Sequence, residues 1–158
     1  MLGDVMKHIR LSTASALIGL VCTTPVWATL GESAASIQAD ASHLGSSIAA
    51  MPATSPSLFT VQRMTLPNSA RVDEFVSASG TVFAVNWRGP RPPDLSQLLG
   101  SYFAEYQTAA TQPHVRSSHV VINTSHITYR AGGHMRDYWG GARIPALIPA
   151  GVTEGDLR

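Results

Sequence analysis

Cysteine is nearly missing from this 158-residue chain: Cys22 is the only one, and it sits in an apolar N-terminal stretch. A chain that loses that stretch can form no disulfide, no thiolate-ligated zinc site and no thiol nucleophile. Lysine is equally scarce. Lys7 stands alone, so Schiff-base chemistry on a lysine amine is excluded once the N-terminus is removed. Charge is thin as well, at 13% of residues, against about 25% in ordinary globular domains. Setting aside Lys7, Arg10 and Asp4 leaves nine basic and nine acidic side chains. A near-neutral chain without clustered Lys and Arg argues against a nucleic-acid partner.

Catalytic and metal motifs are missing too. Serines are plentiful, yet there is no G-x-S-x-G elbow, and Ser77-Ala78-Ser79-Gly80 is better explained as a hairpin turn. His43, His114, His119, His126 and His134 form no H-x-H or H-x-x-x-H pair. No metal site and no cofactor are therefore expected. There are no internal repeats.

What is present begins with a three-part leader. Lys7, His8 and Arg10 form a positive region, and Leu11 to Val21 is mostly apolar. Thr23-Thr24-Pro25 then breaks the helix before Val26-Trp27-Ala28, which suits cleavage after Ala28. The apolar stretch is shorter than the roughly 20 residues that span a bilayer. The expectation is a periplasmic or secreted protein with no membrane span after cleavage. Met6-Lys7 is a more natural start than Met1. Val21 before Cys22 is a poor fit for lipid attachment, which wants a small residue there.

Three regions follow: a signal peptide over 1–28, a helical arm with a Pro/Ser linker over 29–57, and a domain over 58–158. Leu30 to Ala50 predicts a weakly amphipathic helix, with Ile37, Ala41, Leu44 and Ile48 at steps of three or four. Met51 to Ser57 is a linker, so the arm is expected to be mobile. Leu58–Leu66, Ala70–Ser77 and Thr81–Arg88 predict a three-stranded meander. The last of these (TVFAVNWR) is apolar on both faces and belongs in the middle of the sheet. Asp94 is a helix cap, and Gln97 three residues on completes a capping box. Leu95, Leu98, Leu99, Tyr102, Phe103 and Tyr106 then form one apolar stripe. Burying six such side chains contributes on the order of 10 kcal/mol before entropy, so this helix is expected on the sheet. Val115–Thr124 and His126–Ala131 predict a hairpin broken by Gly132-Gly133. Ala142–Ile148 is a final strand that Pro145 confines to an edge or bulge. The fold class is α+β: an antiparallel sheet of about five or six strands in β-β-β-α-β-β-β order, with one amphipathic helix packed across it.

Two stretches, Phe75 to Phe103 and Gly133 to Val152, carry the motifs G-x-V-F-A-V-x-W, P-D-L-x-x-L-L-G and G-H-M-R. On these the chain resembles a family of exported proteobacterial proteins defined as a domain of unknown function. The resemblance spans roughly Leu30 to Asp156. It implies export and a single domain, and brings no activity, cofactor or catalytic residue with it. Pro67-Asn68-Ser69-Ala70 departs from the pattern, standing where a glycine-containing hairpin turn is more usual.

The best candidate site is His134, Arg136, Tyr138 and Trp139, a basic and aromatic segment between glycine pairs. In an extended chain His134 and Arg136 share a face and can project together toward an anion. The plain alternative pairs Arg136 with Asp137 or Asp94 and has His134 satisfying a buried carbonyl. Trp87, Arg88, Tyr102, Tyr106 and Tyr129 complete the aromatic set. Of these, Tyr102 and Tyr106 are assigned to the core. The expected function is a non-enzymatic periplasmic or secreted binding module for a small molecule or envelope protein. The alternatives are a cell-envelope accessory or assembly factor that docks through its arm, or a small hydrolase-type enzyme using His134 and Arg136.

Overall fold

The computed structural model describes residues 30–51, 58–112 and 119–157. The expected leader and its cleavage point, residues 52–57 of the linker and the beginning of the strand expected from Val115 lie outside the described residues. Seven strands form one antiparallel sheet: β1 (Ser47–Met51), β2 (Phe59–Thr65), β3 (Arg71–Ser77), β4 (Val82–Gly89), β5 (His119–Asn123), β6 (Thr128–His134) and β7 (Asp137–Arg143). Their spatial order is β1-β2-β3-β4-β7-β6-β5, which puts β4 in the middle as its apolar run requires.

Two helical segments cover one face. The first is α1 (Ile37–His43). The second runs from α2 (Leu95–Leu99) through a 3-10 turn at Gly100–Tyr102 into α3 (Phe103–Ala110). Asp94 caps α2 as expected, accepting from the Ser96 and Gln97 amides at 2.9 and 3.4 Å. The Gln97 side chain does not close a capping box. It turns inward and donates to the buried Asp40 carboxylate. The stripe expected on a single helix is divided by the kink at Gly100: Leu98 and Leu99 are buried, while Leu95, Tyr102, Phe103 and Tyr106 pack around them half-buried.

Strand alternation separates two cores. On the helix side, Val72, Val76, Val85, Trp87, Tyr129 and Ala142 meet Ile37, Ala41, Leu98 and Leu99. On the other side a smaller cluster joins Phe59, Phe75, Phe83 and Ala84 to Leu157. A bulge opposite Phe75 and Val76 turns both Phe83 and Ala84 toward that smaller cluster. The three phenyl rings lie 5.8–6.3 Å apart, tilted or edge-on.

The N-terminal expectation needs correction. The helix ends at His43, and Gly45 with φ 62° supplies the left-handed turn that stops it. Residues 47–51 then pair with β2 as an edge strand. Leu30, Ile37 and Ala41 are buried, and residues 31–33 pair with Thr81 and Val82. The segment expected to be a mobile arm thus supplies an edge strand of the sheet and part of its core.

The C-terminal strands also differ. β6 runs through Gly132-Gly133 to His134, and a two-residue turn at Met135-Arg136 returns it as β7. That strand ends at Arg143 and pairs with β4 inside the sheet, while Pro145–Leu147 forms a 3-10 turn. Pro145 therefore marks where the last strand stops instead of an edge strand. At the turn over residues 67–70, Ser69 takes φ 64°, the conformation that glycine favours, and the Asn68 carboxamide accepts from the Ala70 amide at 2.9 Å. Side-chain hydrogen bonding thus supports a turn that has no glycine.

Candidate functional site

The helix-free face of the sheet is half covered. Beyond the 3-10 turn the chain folds back so that Leu157 packs on the phenylalanine cluster, and its carbonyl accepts from Asn86 Nδ2 at 2.5 Å. A tight turn holds this tail, with Asp156 accepting from the Thr153 amide and hydroxyl at 2.8 and 2.7 Å. The rest of that face, toward the β6–β7 tip, stays open as a groove of about 480 Å³.

Pairing across the strands aligns the groove's residues. One row runs Arg71, Arg88, Trp139, Gly132 and His119 across β3, β4, β7, β6 and β5. The next row runs Arg63, Asp73, Asn86, Gly141 and Arg130. Two flat side chains make the floor, each lying over a glycine. A Cβ on Gly132 would meet Trp139 Cζ2 at 2.8 Å, and one on Gly141 would meet Asn86 Oδ1 at 2.1 Å. Only glycine lets the indole and the carboxamide lie down on the neighbouring strand. Trp139 keeps 41% of its surface exposed.

Four arginines and two carboxylates line the groove: Arg71, Arg88, Arg130 and Arg143 against Asp73 and Glu154. The carboxylates are already engaged. Asp73 takes a two-pronged bond from Arg63 at 2.6 and 2.9 Å, and Glu154 binds Arg143 at 2.6 Å. Arg88 grips Asp137 at 2.8 and 2.7 Å, and the Asp137 carboxyl is held below its usual range by that guanidinium. Arg71 and Arg130 are left with the outer positions, 3.5 Å from Asp73 and Glu154, and both are half exposed. The groove thus carries excess positive charge with two loosely held guanidiniums on opposite walls.

The four residues expected to form a site separate. Trp139 enters the groove. Tyr138 faces the other way and packs against the helix-side core. His134 and Arg136 are exposed at the β6–β7 tip, with Met135 between them 88% exposed and Arg136 at φ 65°. Among the described residues Arg136 makes no ion pair; Asp137 goes to Arg88 instead. Turn geometry explains the separation, because Met135-Arg136 forms the hairpin loop instead of continuing an extended run. Sequence reading did not assign Arg71, Asp73, Asn86, Arg130, Arg143 and Glu154 to a site, and named Arg88 only within the aromatic set. A signal existed in Arg71 and Asp73 of β3, Asn86 and Arg88 of β4, and Thr128 and Arg130 of β6, polar residues two apart that look like an ordinary solvated face until the strands are put side by side.

Two other polar clusters lie outside the groove. Ser125, His126 and Glu105 lie together on the surface, but Ser125 Oγ at 3.1 Å and Glu105 Oε2 at 3.0 Å share one ring nitrogen, Nδ1 of His126. A relay needs the acid and the hydroxyl on opposite nitrogens, so this is no hydrolase triad. Beneath the helices, Asp40, Glu74 and Gln97 are buried. Burial, and next the Asp40 charge, push the Glu74 carboxyl up to about 8. Its Oε2 has no hydrogen-bond partner among the described residues. The groove does not reach this pair. A more open hollow of about 530 Å³ beside α2 and α3 is walled by Leu95, Phe103 and Tyr106 and has no charged group but the Asp94 cap. Among the described residues no three His, Cys, Asp or Glu side chains gather to hold a metal, and no helix is long and apolar enough to cross a membrane.

Neither the curated proteins nor the solved structures contain a match to this chain. A family model does match, over residues 26–157, nearly all of the sequence that follows the apolar stretch and the whole of the sheet domain. The chain belongs to the family described as "Protein of unknown function (DUF2844)".

Proposed function

We propose that this protein is an exported, non-enzymatic binding module whose ligand lies in the groove on the helix-free face of the sheet. The observation that carries this reading is the groove itself: about 480 Å³, floored by two recumbent planar side chains and walled by four arginines. Concave sites with an aromatic surface and a few convergent polar groups are where small ligands bind. The imbalance of guanidinium over carboxylate favours an anionic ligand. Export rests on the three-part leader.

The rival readings have less support. An accessory factor docking through a free N-terminal arm loses its premise, because residues 30–51 belong to the sheet domain. An enzyme built on His134 and Arg136 has those groups exposed on the tip, outside the lining of the groove. The test is a screen of anionic and neutral small molecules by amide chemical-shift mapping on the labelled protein. The expected result is joint movement of Asn86, Trp139, Gly141 and Arg143. Hits that map to residues 134–136, or to the hollow beside α2 and α3, would remove the groove from this role.

A further inference from the structure

The proposal of a groove ligand leaves its chemistry open, and the groove's own residues narrow it. Three features must be met at once. The first is the outer face of Trp139, which lies flat across Gly132 and is 41% exposed. Such a face takes the C–H side of a ring or another π system. The second is the pair of loosely held guanidiniums, Arg71 and Arg130, each only 3.5 Å from a carboxylate that has a closer arginine. They stand on β3 and β6, three strand spacings apart, which is about 14 Å between backbones. Raised straight off the sheet, they meet two separate anionic groups more readily than one. The third is the presence of acceptors among the arginines: Asp73, Glu154 and Asn86 Oδ1 line the same groove. Their remaining lone pairs can accept from hydroxyl groups, which a ligand carrying only anionic groups would not supply.

We infer that the groove binds an acidic oligosaccharide of two or more sugar units, with one ring stacked on Trp139, carboxylates on Arg71 and Arg130, and hydroxyls on Asp73, Asn86 and Glu154. The inference rests on the groove being the ligand site. A uronate carboxylate fits the guanidinium fork with two parallel bonds, as Arg63 and Arg88 already do with Asp73 and Asp137, and its single charge is repelled less by Asp73 and Glu154 than the two charges of a phosphate monoester. Two or more sugar units match the separation of the β3 and β6 backbones, which exceeds a single pyranose ring.

The experiment titrates the protein with three probes and reads tryptophan emission and amide shifts: a trigalacturonate, the neutral galactose trimer, and the non-sugar tricarboxylate tricarballylate. The expected result is that trigalacturonate shifts the groove amides and the Trp139 signal, while each control binds about tenfold more weakly or worse. Arg71→Gln and Arg130→Gln, both at half-exposed positions, should each weaken the trigalacturonate by about tenfold with an unchanged melting temperature. Trp139→Phe should weaken it less than Trp139→Ala. Equal binding of the neutral trimer would overturn the acidic requirement. Tighter groove binding by tricarballylate would overturn the saccharide and leave the binding module intact. Binding of no probe overturns the inference, and the broader screen above then decides the groove independently.

Discussion

Glu74 is the residue at which a single atom should change stability most. It lies in the middle of β3, 2% exposed, with Asp40 of α1 facing it, and its carboxyl is pushed up to about 8 by burial and by that neighbour's charge. Its ordinary value of 4.5 applies in the unfolded chain. Between those values the folded protein holds a proton that the unfolded chain has lost. The folded state binds more protons, so stability falls as pH rises. The contribution is fully present below about 4.5, is lost progressively up to about 8, and is flat beyond. At about 1.4 kcal/mol per pH unit the whole window is worth roughly 5 kcal/mol, comparable to the net stability of a small domain. Glu74→Gln keeps the shape and removes the titration. At pH 5 the two proteins should unfold at nearly the same urea concentration. At pH 7.5 the variant should be more stable by about 2–4 kcal/mol, the amide's own burial taking back part of the gain. That displaces the urea midpoint by one to several molar at ordinary slopes, on the order of 1–3 kcal/mol per molar. Trp87 is buried and reports the transition through its emission. Parallel stability curves for the two proteins from pH 5 to 8 would refute the argument, because the carboxyl would then be ionised in the fold or solvated by an opening that these packing relations do not include.

Other outcomes follow from the packing. Leu98→Ala removes a side chain 1% exposed beneath the helix kink and should lower stability by about 2–5 kcal/mol in urea unfolding. Gly141→Ala puts a methyl group 2.1 Å from Asn86 Oδ1 and should break the Asn86–Leu157 tie, raising hydrogen exchange across residues 149–157 while the β2–β3 amides stay protected. Arg136→Gly relieves a positive φ on the exposed tip and should leave the melting temperature unchanged or raise it slightly, a gain of under about 1 kcal/mol.

Local patterns in the sequence foretold the middle of the fold well and its two ends poorly. β4 is recognisable because Val82, Phe83, Ala84 and Val85 make both faces of its first half apolar, and a strand apolar on both faces belongs in the middle of a sheet. Asp94 announces α2 because a carboxylate ahead of an apolar stripe has one obvious use. The first helix ran too far in the expectation because Ile48 kept the helical spacing past Gly45, and the positive φ there outweighs spacing. β1 is a strand by virtue of its partner, Val61 to Thr65, and no local preference of Ser47-Ile48-Ala49-Ala50-Met51 announces it. The glycine pairs misled in the same way. Gly132-Gly133 and Gly140-Gly141 look like breaks, yet they lie inside strands because Trp139, Trp87 and Asn86 need the missing side chains' room. Of the expected site only Trp139 reached a groove, since the other members depend on a turn whose position the pattern did not reveal.

Composition was least informative about the site, for a reason of arrangement. Nine acidic and nine basic side chains beyond the leader suggest a surface with no field of its own. The fold sorts them. Five of the nine arginines, Arg63, Arg71, Arg88, Arg130 and Arg143, stand on the helix-free face, while Asp40 and Glu74 are sealed beneath the helices. A buried carboxyl that keeps its proton adds nothing to the surface potential, so removing Glu74 from the count tips the exterior toward positive. Strand alternation does the rest, sending Val72 and Glu74 one way and Arg71 and Asp73 the other. The same register that closes the core therefore concentrates guanidiniums around Trp139. A one-residue slip of β3 against β4 would exchange the two sets and destroy both. Groove and core are two faces of one pairing, and this is why the perturbations proposed for the groove are confined to half-exposed side chains, where binding can be lost while the sheet survives.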